Sequence, residues 1–126
     1  MQVGEIYYWD TQKAVGHASR FKYHVFISEP DGIFQDHSFL FISSADYGSD
    51  FAISKTEYPF FTNATSYVSV GGIIQYSDSE LKAATPQLKG RLTQQHRQDL
   101  FNAILASGKM PGREEKCVCN ALKSAF

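Results

Sequence analysis

Ser66–Tyr76, SYVSVGGIIQY, decides the fold. Its β-branched and aromatic residues mark a long strand, and the pair Gly71-Gly72 breaks it in the middle. Paired glycines inside a strand signal a bulge or sharp bend, the device with which a small barrel turns a corner. Upstream, Gly4–Asp10, Phe21–Glu29 and Ser38–Ser43 read as further strands, and Phe51–Ser54 as a short one. Pro30-Asp31-Gly32 is the turn between the second and third, and Ala45–Asp50 is a loop. Pro59 confines Tyr58–Phe61 to an edge or to irregular structure.

Downstream the pattern changes. Residues 77–92 are polar and small, with Pro86 and Gly90, and read as a connection. Thr93 is an N-cap for a helix that runs to Ser107 and stops at Gly108, its stripe being His96, Leu100, Phe101, Ile104 and Leu105. A last helix starts near Arg113 and presents Val118, Ala121, Leu122, Ala125 and Phe126. Strands first and helices last make an α+β domain: a small, strongly curved antiparallel SH3-like β-barrel followed by C-terminal amphipathic helices. Residues 1–126 form a single domain, with 1–76 mainly barrel, 77–92 the connection and 93–126 the helical tail.

Composition narrows the class. At 126 residues, 43% of them hydrophobic and 20% charged, the chain supports a core without disulfides. A net charge of −1 removes the argument from overall basicity for nucleic-acid binding, so any such site has to be a local patch. With no apolar run of spanning length and no basic-then-apolar start, the expectation is a cytoplasmic protein with no membrane partner. Cys117 and Cys119 are too few for a zinc site and read as reduced structural thiols; no metal and no cofactor is expected.

The local patch lies in His17–Ser28, HASRFKYHVFIS. A two-residue period puts Phe21, Tyr23, Val25 and Ile27 on one face and Arg20, Lys22 and His24 on the other. Two permanent cations and an imidazole suit a phosphodiester. The plainer reading is an exposed strand face kept soluble by charge. His24 titrates near neutrality and suits an acid or base role; a half-exposed, hydrogen-bonded strand histidine is the alternative. Tyr7, Tyr8 and Trp9 are able to stack on an unpaired base, although strand alternation sends at least one inward. Arg91, with Lys89 and Arg97, offers a basic patch for a phosphate backbone or is solvated helix charge.

These segments resemble the MazF/PemK-like toxins of toxin–antitoxin pairs, which share the CcdB/Kid-type barrel. The resemblance rests on Gly4-Glu5-Ile6, on Lys22–Ser28 (KYHVFIS), on Leu40–Ser44 (LFISS), on Ser66-Tyr67-Val68 and on Lys89–Thr93 (KGRLT). It implies a homodimer that cuts single-stranded RNA without a metal and is inhibited by a cognate antitoxin protein. By position, the family's catalytic Arg falls on Lys22 and its catalytic Ser/Thr on Ser43 or Ser44, with Arg20 and His24 on the same strand face as Lys22. Lys is a flexible point charge where Arg offers a planar fork, so the site either works through Arg20, Lys22 and His24 or has lost its chemistry. The RNA-binding residues are then Tyr8, Trp9, Arg91 and His17, the last in a polar connection over the groove. A non-catalytic module holding a protein or peptide is the rival reading.

Overall fold

The third strand, His37–Ser43, organises the sheet. The computed structural model describes residues 1–14, 19–48 and 50–126. In chain order the strands are β1 (Glu5–Thr11), β2 (Arg20–Ser28), β3 (His37–Ser43), β4 (Phe51–Ser54), β5 (Thr65–Val68), β6 (Ile74–Tyr76) and β7 (Gln87–Arg91). The helices are α1 (Asp78–Ala84), α2 (Gln94–Ser107) and α3 (Gly112–Ser124). All pairings are antiparallel, in the order β4-β5-β3-β2-β1-β7, with β6 also on β3. The path ends at β4 and at β7, so the sheet is a curled half-barrel backed by helices, the α+β class and strong curvature expected.

The expected long strand is bent where its glycines stand. β5 and β6 both lie along β3, with Ile42 opposite Val68 and Phe39 opposite Ile74. Residues 69–73 therefore face only Leu40 and Phe41, and the excess forms a bend whose Val70 is buried in the larger core. Ser69 N–H still reaches Phe41 O at 2.9 Å, and the Glu114 carboxylate of α3 takes the Ile73 N–H at 2.8 Å. A helix thus ties down the corner that the sheet leaves unpaired.

The connection at 77–92 is corrected: it contains α1 and β7. Ser77 caps α1 by accepting from Glu80 N–H while the Glu80 carboxylate accepts from Ser77 N–H, a reciprocal capping box. β7 pairs with β1 from Glu5–Arg91 to Tyr8–Gln87 and forms an edge. The later helices match their sequence signals. Thr93 accepts from His96 N–H to start α2, and Gly108, at φ 62°, ends it in the left-handed conformation that suits a residue without Cβ.

Two cores form, one on each sheet face. The larger joins Ile6, Val25, Ile27, Leu40, Ile42 and Val68 to Leu100 and Ile104 of α2 and Val118 and Leu122 of α3. The smaller lies on the opposite face and consists of Tyr7, Trp9, Phe26, Phe39 and Tyr76 closed by Leu81 of α1. Cys117 and Cys119 are buried free thiols whose pKa values burial raises, which keeps them protonated and unreactive. Among the described residues, no helix is long and apolar enough to cross a membrane.

Candidate functional site

Along β2, the face turned away from the larger core runs Phe26, His24, Lys22, Arg20. Burial is complete at one end and lost at the other: Phe26 is 2% exposed and His24 0%, Lys22 is half-buried and Arg20 open to solvent. The gradient follows the cover that the smaller core provides, Leu81 of α1 and Tyr76 sealing the Phe26–His24 end.

His24 is therefore not an acid or base in a groove. Its ring stacks on Trp9, with centroids 3.5 Å apart and planes 6° from parallel. Nδ1 lies 3.0 Å from Lys22 O and Nε2 2.9 Å from Tyr76 Oη. A carbonyl only accepts, so Nδ1–H donates to Lys22 O, and Nε2 accepts from the Tyr76 hydroxyl. Tyr76 oxygen in turn accepts from Thr11 Oγ1 at 2.8 Å, completing a chain of neutral donors and acceptors. Burial pushes the His24 pKa down from 6.5 to about 3, so the ring stays neutral. Trp9, 2% exposed, has its ring stacked on His24 and forms a wall of the smaller core, away from Arg20 and the two concavities beside it.

Lys22 and Ser43 are brought together on neighbouring strands. Lys22 Nζ donates to Ser43 Oγ at 3.1 Å and sits 5.4 Å from the centre of the Phe41 ring. The ammonium has no acceptor, so the Ser43 oxygen receives this bond and its own O–H remains to donate elsewhere. Burial first, and then the charge of Arg20, draw the Lys22 pKa below its ordinary value.

Arg20, Lys22 and Ser43 form a ridge between two concavities, lining both. The larger, about 450 Å³, is bounded by Phe41, Tyr47, Asp50 and Lys109. The smaller, about 230 Å³, is bounded by Tyr8, Phe21, Tyr23 and Ser44. Tyr8 stacks against Phe21 at 5.2 Å and meets the tilted ring of Tyr23 at 4.3 Å, and Phe21 is 58% exposed. Lys89 Nζ lies 5.8 Å over the Tyr8 ring, adding a cation to this aromatic bank.

Of the expected site residues, the fold thus gathers Arg20, Lys22, Ser43, Ser44 and Tyr8. Arg91 belongs elsewhere: it pairs with Glu5, whereas Arg20 pairs with Thr11 at the other end of β1, roughly 20 Å away at ~3.3 Å per residue. There its Nε donates to Val3 O at 3.0 Å. His17 lies outside the described residues. The sequence reading missed Tyr47, Asp50, Phe21 and Lys109 as site residues. Phe21 was legible as the exposed end of an apolar strand face. No local signal marked Lys109, which arrives by tertiary packing and donates to Gly48 O.

The ridge can grip a phosphate with a guanidinium, an ammonium and a hydroxyl, with aromatic surface on either side. Among the described residues, no three His, Cys, Asp or Glu side chains group as a metal-binding set. No family model, curated protein or solved structure matches this chain.

Proposed function

We propose that the ridge binds and cleaves single-stranded RNA, and that the chain acts as a MazF/PemK-like toxin. The carrying observation is that Arg20, Lys22 and Ser43 converge between two concavities, with Lys22 held on Ser43 at 3.1 Å. The reaction is attack of a ribose 2′-oxygen on the adjacent phosphorus with departure of the 5′-oxygen, leaving a 2′,3′-cyclic phosphate and a 5′-hydroxyl. Arg20 holds the non-bridging oxygens through its fork of donors, and Ser43 O–H adds a third. Lys22, its pKa lowered by burial and by Arg20, gives its proton to the departing 5′-oxygen. The 2′-hydroxyl proton passes to water, because the only β2 imidazole in the described structure is sealed in the smaller core. Tyr8 and Phe21 stack the base beyond the phosphate, a role that needs no particular sequence. In this reading the protein works in the cytoplasm as a homodimer and is silenced by an antitoxin whose acidic residues meet Arg20, Lys22 and Lys109.

The burial of His24 favours one second reading: the same groove holds a protein or peptide partner and cuts nothing. Incubating the protein with a long single-stranded RNA in EDTA separates the two. Site-selective cuts ending in 2′,3′-cyclic phosphate, lost in both Arg20→Ala and Lys22→Ala, establish the nuclease. Intact RNA at large protein excess establishes the second reading.

A further inference from the structure

We infer that the larger concavity is a nucleobase pocket selective for guanine, read by Asp50 and Lys109. This rests on the ridge being an RNA site, and it adds which base that site prefers. The cavity, about 450 Å³, lies within the range of roughly 300–1,000 Å³ typical of ligand pockets. It opens directly from Arg20 and Lys22, so a nucleotide whose phosphate sits on the ridge has its base within reach. Phe41 and Tyr47 supply ring surface for stacking.

The selectivity comes from Asp50. Its Oδ2 accepts from Tyr47 N–H at 3.2 Å and its Oδ1 from Val70 N–H at 3.3 Å. Those two bonds fix the carboxylate in place. An ionised carboxylate offers about four lone-pair directions, so among the described residues one on each oxygen remains after them. Lys109 lines the same cavity, and after donating to Gly48 O its ammonium keeps two further N–H groups. Together they place a two-oxygen acceptor and a cationic donor on the walls of one cavity.

Guanine alone has the complementary edge: N2–H and N1–H donors side by side, then the O6 acceptor. In single-stranded RNA that edge is open to a protein. Adenine and cytosine each place one amino donor beside a ring nitrogen that only accepts, which a carboxylate oxygen repels. Uracil has one donor between two carbonyls. Each loses one of the two acceptor contacts.

The test uses fluorescein-labelled 2′-O-methyl RNA hexamers, which bind without being cut: all uridine, or uridine with one central guanine, adenine or cytosine. Anisotropy titrations at low salt are expected to show the guanine hexamer binding roughly tenfold more tightly than the others, the discrimination of one bidentate base contact. Asp50→Asn, which exchanges one acceptor for a donor, is expected to erase that preference, and Lys109→Ala to reduce it, with thermal melts verifying both folds. Equal affinity of the unaltered protein for all four hexamers overturns the guanine pocket while leaving the RNA site standing. A guanine preference that survives Asp50→Asn also overturns it, since the base is then read elsewhere. Binding to none of the hexamers removes the RNA site itself.

Discussion

The two ends of β2 share one sheet face and one alternating pattern, yet one end is core and the other is a solvent-open candidate site. At the Phe26 end, His24 and Phe26 are closed under Trp9, Phe39 and Tyr76, with Leu81 of α1 as the lid. At the other end Lys22 and Arg20 look out between two concavities. The same kind of strand position thus yields a neutral imidazole near one end and a pair of cations at the other. What separates them is how far the helix and its partner aromatics reach.

The contrast can be broken most directly by hollowing out the covered end. Trp9→Ala removes the stacking partner of His24 and is expected to cost about 3–5 kcal/mol in denaturant unfolding. A much smaller loss would mean that the smaller core contributes little and that its burial is incidental. At the open end the stakes are chemical. Under the proposed nuclease function, Lys22→Ala is expected to slow RNA cleavage about 10²–10³-fold with little change in unfolding midpoint, the usual scale for removing a donor to developing charge. Arg91→Ala, its guanidinium at the far end of β1, should leave cleavage alone; comparable losses in the two variants would show that position on the ridge is irrelevant.

The third expectation is a pH dependence belonging to His24. In the unfolded chain it titrates near 6.5, and in the fold near 3, so the unfolded state binds the extra proton between those values. Its neutral form is therefore stabilising in full above about pH 6.5, and stability falls as pH drops toward 3, by up to ~1.4 kcal/mol per pH unit. Urea midpoints taken from neutral to acidic pH should show this slope, and His24→Phe should flatten it. An unchanged slope in the variant would assign the acid sensitivity to other groups. Smallest is the cap: Ser77→Ala deletes half of the box that starts α1 and should cost about 1 kcal/mol. If proteolysis or hydrogen exchange then loosens Trp9 and His24 together, α1 is confirmed as the lid of the smaller core.

Period-two reading of β2 placed its side chains on the correct faces, and Tyr23, Val25 and Ile27 do pack toward the larger core. The caps at Thr93 and Gly108 also give α2 its observed limits, because capping is local chemistry. The glycine break in Ser66–Tyr76 was legible, although not the fact that both halves return to the same partner strand. What escaped was whatever depends on distant cover. Nothing within five residues of His24 says that Tyr76 and Leu81 will close over it. The one available hint, Ser77 three residues before Glu80, sat inside a stretch whose small polar residues resemble a linker. Phe39 and Phe41 alternate with Leu40 and Ile42, so that strand's apolar run did reveal burial on both faces, but not which aromatic would floor a cavity. Lys109 and Asp50 come to line one cavity only after β-sheet and helices have docked.

The corner at residues 69–73 has a bearing on synthesis. Ser69 and Gly71 line the larger concavity, yet the segment is clasped from Glu114, and another wall comes from Lys109. A nascent chain carrying all seven strands still lacks both until its final helices emerge from the ribosome. The pocket is thus assembled last, and a half-made polypeptide has the cationic ridge without the chamber beside it.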